Sequence, residues 1–293
     1  MLNASSLSAR RAPVVLPRCR HWRAALLLLP FILLLALFCL APLGWVVAHS
    51  VRGDDGAFSL GHFREILTSP FYRLAFVNSL DISLRSSALG LVIALAGAAS
   101  LRRVPGRVQN AVVSFTTMTS NLAGVPLAFA FVILVGTNGV LTLLLRQGMA
   151  IDGFNLYSRS GLTLIYTYFQ IPLGVLLLYP ALDALDDDWR HAASLLGARH
   201  WQYGWHVALP VIAPAVCGTF ILLFANAMGA YASAYALTTG NFNLVTVRIA
   251  SLVSGDIFLE PDLAAALSVL LTLLLVLVCA VNQILLKRSY RAR

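Results

Sequence analysis

The chain has 293 residues, 59% of them hydrophobic and 11% charged, with mean hydropathy +0.82. That balance excludes a soluble globular domain and predicts an all-α polytopic membrane protein whose six spans use up the length, leaving no room for a soluble catalytic domain. The net charge of +9 does not mark a nucleic-acid binder, because the arginines sit at the ends of apolar runs, where membrane topology requires them.

Residues 1–23 hold Arg10, Arg11, Arg18, Arg20 and Arg23 and no acid, and Ala24–Ala48 follows without a charge. The apolar run is too long for a cleaved signal peptide, so it predicts a retained first span behind a basic N-terminal segment, with Pro30 and Pro42 tolerated inside it. Residues 49–73 balance Arg52, Arg64 and Arg73 against Asp54, Asp55 and Glu65, which predicts an outward loop with a short helix near Leu60–Leu67. The second span is expected over Phe76–Leu101. Gly90, Ala94 and Ala98 give it a stripe of small residues on which another helix can pack closely. Asp81 and Arg85 lie four apart near its outer end. An intramembrane charge is a functional candidate, but an ion pair that snorkels or locks helices is the simpler account of this one.

Arg102, Arg103 and Arg107 mark a cytoplasmic turn, and no charge follows until Arg146. The third span is expected to end near Gly136-Thr137-Asn138-Gly139, with Gly124 and Pro126 loosening it, and residues 137–160 to form an external loop. The fourth span is Gly161–Leu182 and the fifth runs from Val207 to about Tyr231. An outward loop over Ala232–Pro261 follows, with room for a short re-entrant or surface helix. The sixth span is Leu263–Leu286, ahead of Lys287, Arg288, Arg291 and Arg293. In this arrangement fourteen of the 21 Lys and Arg residues fall on the side of the termini and six on the other. The asymmetry predicts cytoplasmic termini. Four divisions follow: a cytoplasmic N-terminus 1–23, a first span and loop 24–73, a transmembrane domain 74–286, and a basic tail 287–293.

The connector between the fourth and fifth spans, residues 183–209, is unlike the others. Trp189, Ala192, Ala193 and Leu196 recur at spacings of three and four, so they share one face of a short helix. Asp186, Asp187 and Asp188 sit where a helix start accepts carboxylates. Gly197 interrupts the helix, and Leu209-Pro210 is expected to turn the chain extended before the fifth span. A polar helix with an apolar stripe, held between two spans, has the form of a knob for a groove on a soluble partner. An ordinary interfacial helix is the plainer alternative.

His191-Ala192-Ala193, then Gly197 after three residues, then Val207-Ala208-Leu209-Pro210 after nine, resembles the cytoplasmic signature of ABC importer permeases: Glu-Ala-Ala, three residues, Gly, nine residues, Ile-x-Leu-Pro. His191 departs from the family's Glu. The resemblance implies a type I importer fold, with a five-helix permease core, a peripheral N-terminal helix and a bacterial inner-membrane location. It also implies ABC ATPase subunits docked on the loop, a second permease, identical or similar, and a periplasmic or surface binding protein. On that reading Trp189, His191, Ala192, Ala193, Leu196, Gly197, Val207, Leu209 and Pro210 make the ATPase coupling element. Ser120, Asn121, Gln170, Asn226 and Tyr231 are the pathway candidates, each equally explicable as a helix–helix hydrogen bond or, for Tyr231, as part of an aromatic belt. The C-terminal half, with Gly229-Ala230-Tyr231, the Leu237-to-Gly240 turn and Leu263-to-Ala266, resembles the spermidine/putrescine-type permeases most, which implies a polyamine or similar small solute. Spans three to five hold neither a carboxylate for a polycation nor an arginine for an anion, so selectivity is expected to rest with the binding protein.

A P-loop needs a lysine within GxxxxGK[ST], and the one lysine, Lys287, follows Ile-Leu-Leu. The chain is therefore not itself a P-loop ATPase, and no cofactor is expected. His191, His200 and His206 lack metal-site spacing, so no metal site is expected; the partners are protein and membrane lipid, not nucleic acid. The alternative is an ion-coupled secondary carrier, which needs a titratable group in the pathway; Asp81 is the one such group.

Overall fold

The computed structural model describes residues 20–53, 56–122, 124–149, 155–254 and 259–291, and helices build nearly all of it. Arg10, Arg11 and Arg18 of the basic N-terminal segment, with Asp54 and Asp55, lie outside the described residues. Among the described residues six helical stretches are long and apolar enough to cross a membrane: Leu28–Ser50, Pro70–Leu101, Val125–Leu144, Arg159–Asp183, Trp201–Gly229 and Pro261–Ile284. They divide as expected into one and five, since residues 1–48 and 49–293 form separate units.

The first unit contains α1 (Arg20–Leu35), a π-helical turn (Ala36–Leu40) and most of α2 (Ala41–Ser50). Most of its apolar side chains from Leu28 onward are exposed. Within the second unit, α3 (Gly61–Thr68) precedes α4 (Pro70–Leu101). Pro70, at the first helical position where its missing N–H is harmless, starts α4 ahead of the expected Phe76. Next come α5 (Gly106–Ser120), α6 (Val125–Val135), α7 (Val140–Met149) and α8 (Arg159–Asp183). The loop after α8 carries α9 (Asp187–Leu195) and α10 (His200–Tyr203), and α11 (Leu209–Gly229), α12 (Ala232–Thr238), α13 (Val245–Ser254) and α14 (Pro261–Arg291) complete the chain.

The expectation of one continuous third span is corrected. Gly124, at φ +97° and ψ −144°, and Pro126 behind it separate α5 from α6, because only glycine takes that backbone conformation readily and proline has no N–H for a helix interior. The apolar helical stretch long enough to cross resumes at Val125 and continues to Leu144, so α7 occupies part of the expected external loop.

A second correction concerns Leu209-Pro210. Ala208 (φ −66°, ψ −52°) and Leu209 (φ −59°, ψ −46°) are helical rather than extended. The π-helical turn Gly204–Ala208 makes this possible: the Leu209 N–H reaches back to the Gly204 carbonyl, and the added residue relieves the clash a proline makes with the preceding turn. Pro42 follows the π-helical turn Ala36–Leu40 at the same offset, where the Ala41 N–H reaches the Ala36 carbonyl.

α4 and α8 run parallel and form the centre of the second unit, with α11 packed on both. Lipid is as apolar as a leucine surface, so helices associate in it by close packing and by hydrogen bonds. The predicted small-residue stripe does the first. Ala94 and Ala98 are fully buried against α8, and a Cβ on Gly174 would come within 2.7 Å of the Ala94 Cβ. Gln170 does the second: fully buried, it donates to Ser86 Oγ at 2.9 Å and accepts from Ser87 Oγ at 3.0 Å.

Candidate functional site

The loop between α8 and α11 is built from its caps inward. Asp186 is the N-cap of α9 and accepts from the Asp188 N–H at 3.0 Å. At the other end the Ala198 N–H bonds the Ala193 carbonyl (3.0 Å) and the Gly197 N–H bonds the Ser194 carbonyl (3.0 Å), the paired bonds of a Schellman stop. Gly197 has φ +80°, and a Cβ there would meet nothing within 4 Å. Conformation, not space, therefore selects glycine.

Between these caps α9 exposes apolar surface. Leu195 and Leu196 are each 88% exposed and Trp189 is 44% exposed. His191 and Ala192 are exposed and Ala193 is partly so. Trp201 and Trp205 continue the exposed apolar surface toward α11.

The base of the loop, in contrast, is fastened. Arg102, just after α4, donates through Nη2 to the Leu185 carbonyl at 2.7 Å. Leu185 is buried in a cluster with Ala98, Leu178, Leu182 and Ile212, which come from α4, α8 and α11. On the far side Val207, Leu209 and Pro210 lie in or just after the π-helical turn, so helix is nearly unbroken from His200 to Gly229. Sequence reading took Arg102 only as a topology charge; its bond to Leu185 is long-range and leaves no local pattern.

Two of the five pathway candidates meet at one cavity. Asn226 and Tyr231 line about 570 Å³ beside Gly124, Phe169, Gly229 and Ser233. The cavity lies where two helix breaks abut: Gly124 before α6, and Gly229-Ala230-Tyr231 between α11 and α12, with the Ala232 Cβ 3.8 Å from a Cβ placed on Gly124. The Ala230 carbonyl freed by the second break accepts from the buried Tyr166 hydroxyl at 2.7 Å. This bond meets the requirement that backbone groups at membrane depth be satisfied inside the protein. The other three candidates are elsewhere. Ser120 and Asn121 both donate to the Thr117 carbonyl, and Gln170 is enclosed between α4 and α8. Gly124 and Ser233 were not among the candidates. The Gly-Val-Pro sequence was the signal for the first.

Asp81 and Arg85 pair at 2.8 Å, as their spacing implies. Arg159, at the start of α8, brings Nη1 to 3.7 Å from Asp81 Oδ2 and bonds the Asn78 side chain. Asn78 in turn donates to the Asn243 carbonyl at 3.1 Å. The pair thus belongs to a network joining α4, α8 and the segment before α13. Among the described residues no cluster of His, Cys, Asp or Glu has the geometry to hold a metal.

Residues 86–291 match the family model for the binding-protein-dependent transport system inner membrane component. The molybdenum transport system permease protein ModB of Mycobacterium bovis is 26% identical over 237 residues, 80% of this chain and 85% of that protein. A spermidine/putrescine transport system permease protein PotB homolog of Mycoplasma genitalium is 30% identical over 226 residues, 76% and 75% of the two chains. Among solved structures, a chain of a bacterial ABC transporter involved in the import of alginate superposes with TM-score 0.73 at 17% identity, covering 93% of this chain and 96% of that one. The same type of transporter has been solved with an alginate pentasaccharide-bound periplasmic protein, with TM-score 0.72 at 17% identity over 90% and 93% of the chains.

Proposed function

The chain belongs to the family of binding-protein-dependent transport system inner membrane components, the permeases of ABC importers, and from that premise we propose that α9 is the element through which a separate ATPase drives it. The observation that carries the proposal is the contrast within one loop: Leu195 and Leu196 are 88% exposed while Leu185, at the loop's base, is 4% exposed. Apolar surface displayed on a capped helix calls for a partner, and a fastened base transmits what that partner does. ATP binding in the ATPase moves α9; Leu185, Arg102 and the continuous α10–α11 helix carry the displacement to the breaks at Gly124 and Gly229. Trp189, His191, Ala192, Ala193, Leu196 and Gly197 form or shape the contact, and Val207, Leu209 and Pro210 form the stiff link.

The same proposal places both termini and α9 on the cytoplasmic side, pairs the chain with a second permease and gives it a binding protein on the other face. It takes residues 74–286 as the transport domain, 1–23 as the basic N-terminus, 24–73 as the first span with its loop and 287–293 as the tail. Asn226 and Tyr231 line the pathway where the helix breaks meet. Among the described residues no charged one lines that cavity, and the relatives named above serve molybdenum and spermidine/putrescine transport. Both facts favour discrimination by the binding protein; a polyamine or similar small solute as cargo rests on the C-terminal resemblance and on the one spermidine/putrescine relative. Asp81, on which an ion-coupled mechanism would depend, is engaged by Arg85 and approached by Arg159.

Ala193→Asp is the test. It buries a charge in the proposed contact without touching the membrane core, so the protein should insert normally, fail to co-purify with its ATPase and lose uptake. Normal uptake by this variant would end the proposal.

A further inference from the structure

A second cavity lies away from the helix breaks. It is a groove of about 1200 Å³ between α4, α6 and α8, and its chemistry changes along its length. Its walls are Leu89, Ile93, Leu164, Tyr168 and Ile171, which carry it along two membrane helices. At one end stand Arg85 and Arg159, with Ser160 beside them.

We propose that this groove binds an anionic glycerophospholipid from the leaflet on the Arg159 side, phosphate against Arg85 and Arg159 and one acyl chain along the walls. Three observations lead there. The first is length: Arg159 to Ile171 is twelve residues of helix, about 18 Å, and one leaflet's hydrocarbon is about 15 Å. The second is charge. Among the described residues two guanidinium groups share the one carboxylate of Asp81, which leaves one positive charge at the mouth for one phosphodiester to neutralise. The third is donor supply. Arg85 is 65% exposed and gives Nε to Asp81, and Arg159 is 46% exposed and bonds Asn78, so several of the five N–H groups on each remain for an anion. A small hydrophilic solute would leave the apolar walls wetted. An uncharged lipid would leave the mouth unneutralised. An amphiphilic anion satisfies both.

The occupant is held by α4 and α8, the pair at the centre of the second unit, and by Phe131 of α6, whose ring meets Tyr168 edge to face at 5.2 Å. The experiment uses the full chain in its purified importer assembly, delipidated in mild detergent and titrated with phosphatidylglycerol or phosphatidylcholine, with binding read by native mass spectrometry and thermal stabilisation. Phosphatidylglycerol should bind the wild type more tightly than phosphatidylcholine. Arg85→Gln with Arg159→Gln should weaken it roughly thirtyfold, at about fivefold for each basic side chain at a lipid headgroup. Leu164→Trp, which leaves the charges in place and fills the chain's track, should lower binding of both lipids. Equal binding of the two lipids by the wild type, or unchanged binding in both variants, would overturn the proposal. So would a Leu164→Cys cross-link to a second permease, since the groove would then be a protein interface.

Discussion

Helices α8 and α9 are neighbours in sequence and opposites in how they satisfy their side chains. α8 is the most enclosed of the six apolar stretches, and its polar groups are met within the chain: Gln170 by Ser86 and Ser87, Tyr166 by the Ala230 carbonyl. α9 is capped at both ends by its own residues, yet its leucines face outward. The difference separates two kinds of order. α8 is specified by long-range packing and stays where it is when the chain is alone. α9 is specified locally, by Asp186 and Gly197, so it can exist as a rigid surface before any partner arrives. Substitutions in the two helices should therefore fail in different ways.

The largest effect is expected from Gly174→Leu. A Cβ at this position already meets the Ala94 Cβ at 2.7 Å, so the larger side chain separates α4 from α8 at a cost of about 3 kcal/mol or more. Detergent-solubilised protein should lose its cooperative thermal transition, and ATPase binding should go with it.

Leu196→Asp should do the reverse. Melting should be unchanged, because the side chain is 88% exposed, while affinity for the ATPase falls by about 2 kcal/mol, the size of an interface hot spot. Pull-down of the ATPase beside a melting curve of the same preparation separates the two outcomes.

Arg102→Ala addresses the junction between the helices. It removes the bond to the Leu185 carbonyl, so the base of the loop loosens while α9 keeps its surface. The ATPase should still bind, and the number of solutes moved per ATP hydrolysed should fall several-fold. Equal efficiency in reconstituted vesicles would show that the bond carries no motion.

The smallest effect is expected from Gln170→Ala. Interhelical hydrogen bonds in membranes average about 0.6 kcal/mol, so the melting temperature should drop slightly and coupling should be unaffected. A large loss of uptake at normal stability would instead return Gln170 to the pathway.

The comparison also explains what could be read from the sequence. The caps of α9, its apolar stripe and the Gly197 stop are local, and residue type and spacing were enough to locate them. The Gly90, Ala94 and Ala98 stripe was legible too, because small residues at a helical repeat mark a close contact whatever the partner. Gly124 and Pro126 were legible as a loosening of the third span but not as the end of a helix, since an apolar run without charges looks continuous, and the backbone conformation of one glycine does not alter hydropathy. Pro210 misled for a related reason. Its effect on the helix was absorbed by an added residue in the preceding turn, which no proline rule anticipates. The Arg102–Leu185 bond and the meeting of Asn226, Tyr231 and Gly124 depend on segments 83 or more residues apart, or on two breaks that coincide only in three dimensions.

The central claim is that α9 is the seat of an ATP-hydrolysing subunit. Its most direct test is cross-linking from Leu196→Cys in native membranes, with a thiol-reactive photoprobe and with an impermeant thiol reagent added outside. The account predicts one adduct, to the ATPase subunit, whose yield changes when ATP is supplied, and no labelling from outside. Labelling by the impermeant reagent in intact cells, or a cross-link to the substrate-binding protein instead, would contradict it.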